Sequence, residues 1–133
     1  MKNEILKKIQ DEGLAILKLH DKLNELNINH EFIDRKKEQI ERSKEKKAID
    51  IINYIFPFDY QIYVEENGNR ISLIQSPYSY GITENLIEAY NFMDEPVFLH
   101  AEVAAELIEK KKLNSFIIAV NDKTDEDMED ANK

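Results

Sequence analysis

Apolar side chains recur at alternating spacings of four and three along residues 3–26: Ile5, Ile9, Ile16, Leu19, Leu23 and Leu26. That rhythm puts an apolar stripe on one face of a helix. Glu12 holds the one position of the series that should be apolar, while Leu6, Leu14 and Leu17 widen the stripe beyond a coiled-coil seam. Gly13, beside the flaw, costs roughly 1 kcal/mol in a helix interior, so the segment is open to a bend or a break into two helices. The stripe has two readings. It covers a sheet of the same molecule, or its heptad spacing serves a partner helix in a homodimer through residues 5–26.

Asn27, Ile28 and Asn29 end this helix, and residues 30–34 read as a short strand with Phe32 bracketed by charge. Residues 35–47 carry one apolar side chain, Ile40, too few to bury a face. Over 50–58 helix and strand compete. Ala48, Ile51, Ile52 and Ile55 keep helical spacing from about Lys36, Pro57 ends the run, and helix is favoured. Residues 60–64 and 71–75 flank Asn67-Gly68, the pair that supplies positive φ in a tight hairpin turn.

After the loop 76–81, Thr83 is placed to cap a helix over 84–92, with Glu84 in its first turn. Pro96 breaks the chain, and 97–99 is a short extended run. A helix over 101–112 has early acids and three closing lysines, as its macrodipole prefers. Residues 116–120 are continuous and rich in β-branched side chains, which predicts a buried strand. From Asn121 there are six acids among thirteen residues, which predicts a disordered tail. The fold expected is therefore α+β: a long N-terminal helix, a small antiparallel sheet built on a 60–75 hairpin, and further short helices packed on it. One domain spans 1–120 and an acidic tail 121–133.

Composition narrows the function more by exclusion than by pointing. The chain has 133 residues and no cysteine, so disulfides, thiolate metal sites and thiol catalysis are excluded. No stretch approaches the ~20 apolar residues of a membrane span, and residues 1–10 lack the apolar core of a secretion signal. The expected location is the cytoplasm. The net charge of −9 is unevenly placed. Residues 1–47 hold 12 basic and 10 acidic side chains, whereas 48–109 hold Arg70 alone against 11 acids. Such a middle repels phosphate backbones. Residues 35–47 run the other way, with seven basic side chains against three acids. Their helical pairings Lys37/Glu41/Glu45 and Glu38/Arg42 suit a solvated face.

The order of motifs from Tyr60 to Lys112 carries a resemblance. Tyr60-Gln61-Ile62-Tyr63 leads into the hairpin, followed by Ile74-Gln75-Ser76-Pro77-Tyr78-Ser79-Tyr80-Gly81, Leu86-Ile87-Glu88 and an Ala-Glu-Val-Ala run at 101–104. The pattern resembles small uncharacterised proteins encoded by phages and prophages of low-GC Gram-positive bacteria. It covers about 50 of the 133 residues. Tyr78 stands where that group has glycine, and 35–58 has no counterpart in it. The resemblance implies provenance and no activity.

Catalytic chemistry finds little footing. His20, His30 and His100 share no metal-ligand spacing, and each reads as a surface or boundary histidine. Ser76 and Ser79 have no nucleophile elbow around them, and the pairs Glu65/Glu66 and Asp94/Glu95 sit in turns where solvation keeps carboxylates ordinary. No enzyme activity, metal or cofactor is expected. The loop 76–81 carries two tyrosines and two hydroxyls before a helix start. It reads either as a Tyr corner packed on the sheet or as a recognition loop. The expected function is binding to a host or phage protein without catalysis. Within that class the expectation is an anti-defence inhibitor, for instance of a CRISPR nuclease, whose acidic surface imitates nucleic acid. Its protein-binding residues are Glu65, Glu66, Tyr78, Tyr80, Glu84, Glu88, Asp94 and Glu95. The alternative is a small nucleic-acid-binding regulator using Lys36, Lys37, Arg42, Lys44, Lys46 and Lys47.

Overall fold

The computed structural model describes residues 2–38, 41 and 58–131. Most of the helix favoured over 50–58 lies outside the described residues. The N-terminal stripe folds as two helices, α1 (Lys2–Glu12) and α2 (Ala15–Glu25). Gly13 makes the break, at φ +103°, a left-handed conformation open to glycine at little cost. Ile9, Ile16, Leu19 and Leu23 are buried within this chain, which commits most of the stripe to its own core.

Five antiparallel strands follow in a meander: β1 (Glu31–Asp34), β2 (Tyr60–Glu66), β3 (Asn69–Gln75), β4 (Ile87–Tyr90) and β5 (Val97–Leu99). Their spatial order is their chain order. Asn67 and Gly68 both take positive φ, 50° and 85°, between the paired Glu66 and Asn69, so the predicted two-residue hairpin turn forms. Two helices complete the chain, α3 (Ala101–Glu109) and α4 (Leu113–Ala131). The α+β architecture is thus the expected one.

Alternation sorts the sheet into two faces. Ile62 pairs with Leu73, Leu73 with Ala89 and Ala89 with Val97, and all are buried on one face. Leu6, Ile9, Ile16, Leu19, Leu23, Ala104, Ile108, Leu113 and Ile117 bring α1–α4 into the same core. Small residues let α3 lie close on α2, where Ala104 is fully buried.

Two elements depart from the sequence reading. The helix predicted over 84–92 is instead a 3-10 turn, Ile82–Glu84, followed by β4. Thr83 donates its hydroxyl to Glu84 Oε2 at 2.8 Å and caps nothing. Asn85, at φ +55°, closes the turn, after which Ile87 and Ala89 are buried while Glu88 and Tyr90 are not, the period of a strand. The strand predicted over 116–120 is helical. Leu113 and Ile117 are buried one turn apart, and the helical backbone continues through 121–131, where a disordered tail was expected. β-propensity yields there to helix starts prepared from outside the segment. Lys111 at φ +56° ends α3, with Lys112 N–H donating to Leu107 O at 2.8 Å, the bond pattern of a Schellman turn. Glu66 then accepts the first free N–H groups of α4.

A similar remote cap starts α2. Leu14 offers no side-chain cap, so Ala15 N–H donates to Asn85 Oδ1 and Ile16 N–H to Gln75 Oε1, both at 3.0 Å. Asn85 Nδ2 donates to Gly13 O at 3.0 Å, and Gln75 Nε2 to Asn85 Oδ1 at 2.7 Å. These bonds satisfy groups that a helix break otherwise orphans. They also fix the 76–86 connection beneath the N-terminal helices.

A candidate protein-binding face

Among the described residues, α1–α4 all pack on one side of the sheet. The other side presents Ile33, Gln61, Tyr63, Ile74, Glu88, Tyr90 and Phe98, with Ser72 beneath them. Its β1 end is polar and braced. Arg35 donates from Nε to Gln61 Oε1 at 2.9 Å and, through Nη2, makes a second bond to the same oxygen. Gln61 Nε2 donates onward to Ser72 Oγ at 2.9 Å. Arg70 lies 3.8 Å over the Tyr63 ring centre and reaches Glu31 at 3.2 Å.

The β4–β5 end is apolar. Tyr90 and Phe92 meet edge to face at 5.0 Å, Phe98 is 39% exposed, and Met93 stands 88% exposed. A rigid turn presents these groups. Asn91 Oδ1 accepts the N–H groups of Met93 and Asp94 at 3.0 and 2.8 Å, while its Nδ2 donates to Asp94 Oδ2 and Asn114 Oδ1, each at 2.9 Å. An apolar cluster held out by a satisfied turn costs solvation that folding does not recover.

The loop 76–81 borders this end. Ser76 and Ser79 take part in a local turn: Ser79 Oγ donates to Ser76 O at 2.9 Å, and Ser76 Oγ accepts from Tyr78 N–H at 3.3 Å. Tyr78 and Tyr80 are 68% and 77% exposed, too open for a Tyr corner. The 3-10 turn that follows stands where a helix start was expected. Gly81 passes so close to Phe98 that a Cβ there would lie 3.1 Å from the ring. Glu88 sits half-buried in the face, across from Ile74 and Phe98. Burial pushes its carboxyl above the usual range, against the opposing pull of the Tyr80 backbone N–H.

The sheet distributes the other predicted residues unevenly. Glu65 is exposed near the hairpin tip, whereas Glu66 is only 5% exposed and spends both oxygens on α4. It is a structural cap and leaves the candidate surface. Glu84 is exposed beyond the tyrosine loop, Asp94 is tied to Asn91, and Glu95 is exposed with its carbonyl accepting from Asn121 at 3.0 Å. Of the basic set, Lys36 is half-buried and Lys37 exposed; Arg42, Lys44, Lys46 and Lys47 lie outside the described residues. Glu38 bonds Arg35 at 3.1 Å, and Arg42, its expected partner, lies outside the described residues.

Spacing along the chain concealed two features of this surface. His20 and His30 meet across α2 and β1, with ring nitrogens 2.8 Å apart, whereas His100 is exposed ahead of α3. Phe92 and Met93 reach the surface inside a polar turn, and the signal available was two large apolar residues between Asn91 and Asp94. Among the described residues no three His, Cys, Asp or Glu side chains converge to hold a metal. No described helix is long and apolar enough to cross a membrane. Comparison with protein-family models, curated proteins and solved structures finds no match to this chain.

Proposed function

We propose that this chain is a protein-binding module that engages its partner through the Tyr90–Phe92–Met93 cluster and the neighbouring tyrosine loop. The observation that carries this reading is the presentation of Met93 and Phe92 by a turn whose polar groups are satisfied by Asn91. Aromatic and methionine side chains at a rigid, exposed site are the composition of interface anchors. Exposed Tyr78 and Tyr80 extend the contact area, with little side-chain entropy to lose. Glu84 and Glu95 are exposed beside them and Glu88 lies within the face, so the partner surface is basic.

Within that class the narrower proposal is an inhibitor whose carboxylates occupy a nucleic-acid channel of a host defence enzyme. The net charge of −9, with Arg70 the lone basic residue across 48–109, supports it. The test is affinity capture from the producing cells, comparing wild type with a Phe92→Ser, Met93→Ser double variant. A partner retained by wild type and lost from the folded variant is expected. Capture of the same proteins by both sinks the reading. Competition of the captured enzyme's nucleic acid, weakening with added salt, tests the inhibitor proposal separately.

A further inference from the structure

The His20–His30 contact is built as a one-proton bridge. His30 Nδ1 lies 2.8 Å from Ile28 O, and a carbonyl only accepts, so Nδ1 carries hydrogen. His30 Nε2 faces His20 Nδ1 at 2.8 Å, and one hydrogen fits between them. With both rings neutral, His20 donates from Nδ1 to His30 Nε2. Asn24 Nδ2, 3.5 Å away, then faces the remaining His20 nitrogen. The His20 ring also stacks on Phe32, centroids 4.0 Å apart, and Phe32 stacks on Tyr60 at 5.6 Å. The bridge therefore joins the C-terminal half of α2 to the edge strand β1 and through it to β2.

Protons added to the pair act in two different ways. The first leaves one ring charged and one neutral, so a single hydrogen still fits between the facing nitrogens and the inter-ring bond becomes charge-assisted. The second places hydrogen on both facing nitrogens and two positive charges side by side. We propose that His20–His30 is an acid-released latch on β1: it holds with both rings neutral or one charged, and parts when both are charged.

The surroundings do not cancel this second charge. On α2, Asp21 favours a charged His20, but burial and the His30 ring outweigh it and push His20 below the ordinary histidine value. On the strand side, the cleft beside His30 is lined by Glu31, Glu65, Arg70 and Tyr63, where Arg70 already binds Glu31. The unfolded chain thus takes the second proton more readily than the folded one. Stability from the latch is present above the ordinary histidine value and is lost as pH falls below it.

The test follows both imidazoles of the full chain by nitrogen NMR from about pH 8 to about pH 4, alongside hydrogen-exchange protection of β1 and β3. Two separated titration steps are expected. The second should coincide with a roughly tenfold loss of β1 protection relative to β3. His20→Gln keeps an amide donor for His30 without a second charge, and should hold β1 protection level across that range. If His20→Gln fails to fold, His30→Gln takes its place. A single titration step at the ordinary value, or unchanged β1 protection, overturns the proposal in wild type alone. So does an equal loss of protection in the glutamine variant.

Discussion

Glu66 caps a helix that begins 47 residues later: its Oε1 accepts Leu113 N–H at 2.8 Å, and its Oε2 accepts Asn114 N–H at 3.0 Å. The last inward-facing residue of β2 thereby fixes where α4 starts, and a buried carboxylate finds the positive end of a helix dipole. Glu66→Ala removes both acceptors and leaves the Leu113 N–H buried. We expect a loss of about 2–3 kcal/mol in urea unfolding, read as a lower midpoint at unchanged slope. Glu66→Gln keeps one acceptor without charge and should lose about half as much.

Gln75 and Asn85 perform the corresponding task for α2, and they do so as a unit because Gln75 Nε2 donates to the oxygen that receives Ala15 N–H. Gln75 is fully buried, so Gln75→Leu strands the Ile16 N–H and should cost about 1–3 kcal/mol. Asn85 adds a backbone requirement through its φ of +55°. Asn85→Gly loses the side-chain bonds alone, whereas Asn85→Ala also pays for the left-handed conformation, about 1 kcal/mol more. A double-mutant cycle should find Gln75→Leu and Asn85→Gly strongly non-additive. Additive losses would show two independent contacts.

These two caps also mark where the sequence was legible and where it was not. The β2–β3 hairpin could be read because Asn67-Gly68 dictates its turn locally, and Gly13 marked the point where the long N-terminal helix was open to a bend or a break. The short extended runs at β1 and β5 were likewise bounded by residues beside them. By contrast, 84–92 and 116–120 were misread because their states depend on distant partners. Asn85 ends a turn while bonding Gly13 and Ala15, and Leu113 enters a helix because Glu66 awaits it. The candidate surface was half-visible. Tyr78 and Tyr80 stood out in a loop, but Tyr90 and Phe92 were hidden by the helix predicted over them. The His20–His30 bridge needs a strand returning along α2, which no local spacing announces.

Gly68 and Gly81 share a left-handed backbone, φ +85° and +83°, but differ in the space around them. A Cβ at Gly68 meets nothing within 4 Å, so Gly68→Ala carries conformational strain alone, roughly 1 kcal/mol. At Gly81 the same atom would lie 3.1 Å from Phe98 Cδ1 and 3.3 Å from Leu86 Cβ. Gly81→Ala should therefore cost more than Gly68→Ala and shift the Phe98 ring. Thermal unfolding of the two variants, with ring chemical shifts for Phe98, checks the order. Equal losses with an unmoved ring would mean the loop slides to accommodate the methyl group.

Glu88 gives the candidate face a pH dependence of defined sign. Burial on the face raises its carboxyl above the ordinary value, and the Tyr80 N–H only partly offsets this. The folded chain then holds this proton more tightly than the unfolded chain. Its contribution to stability is greatest in acid and falls as pH rises from the unfolded value through the folded one. Glu88→Gln keeps an acceptor for Tyr80 and removes the titrating charge. The variant should gain stability over wild type near neutral pH, with the gain shrinking toward acid as wild-type Glu88 takes up its proton. Melting temperatures of both proteins at about pH 7 and about pH 4 measure this difference. A gain that is the same at both values, or larger in acid, would place the Glu88 carboxylate in a better-solvated site than the sheet provides.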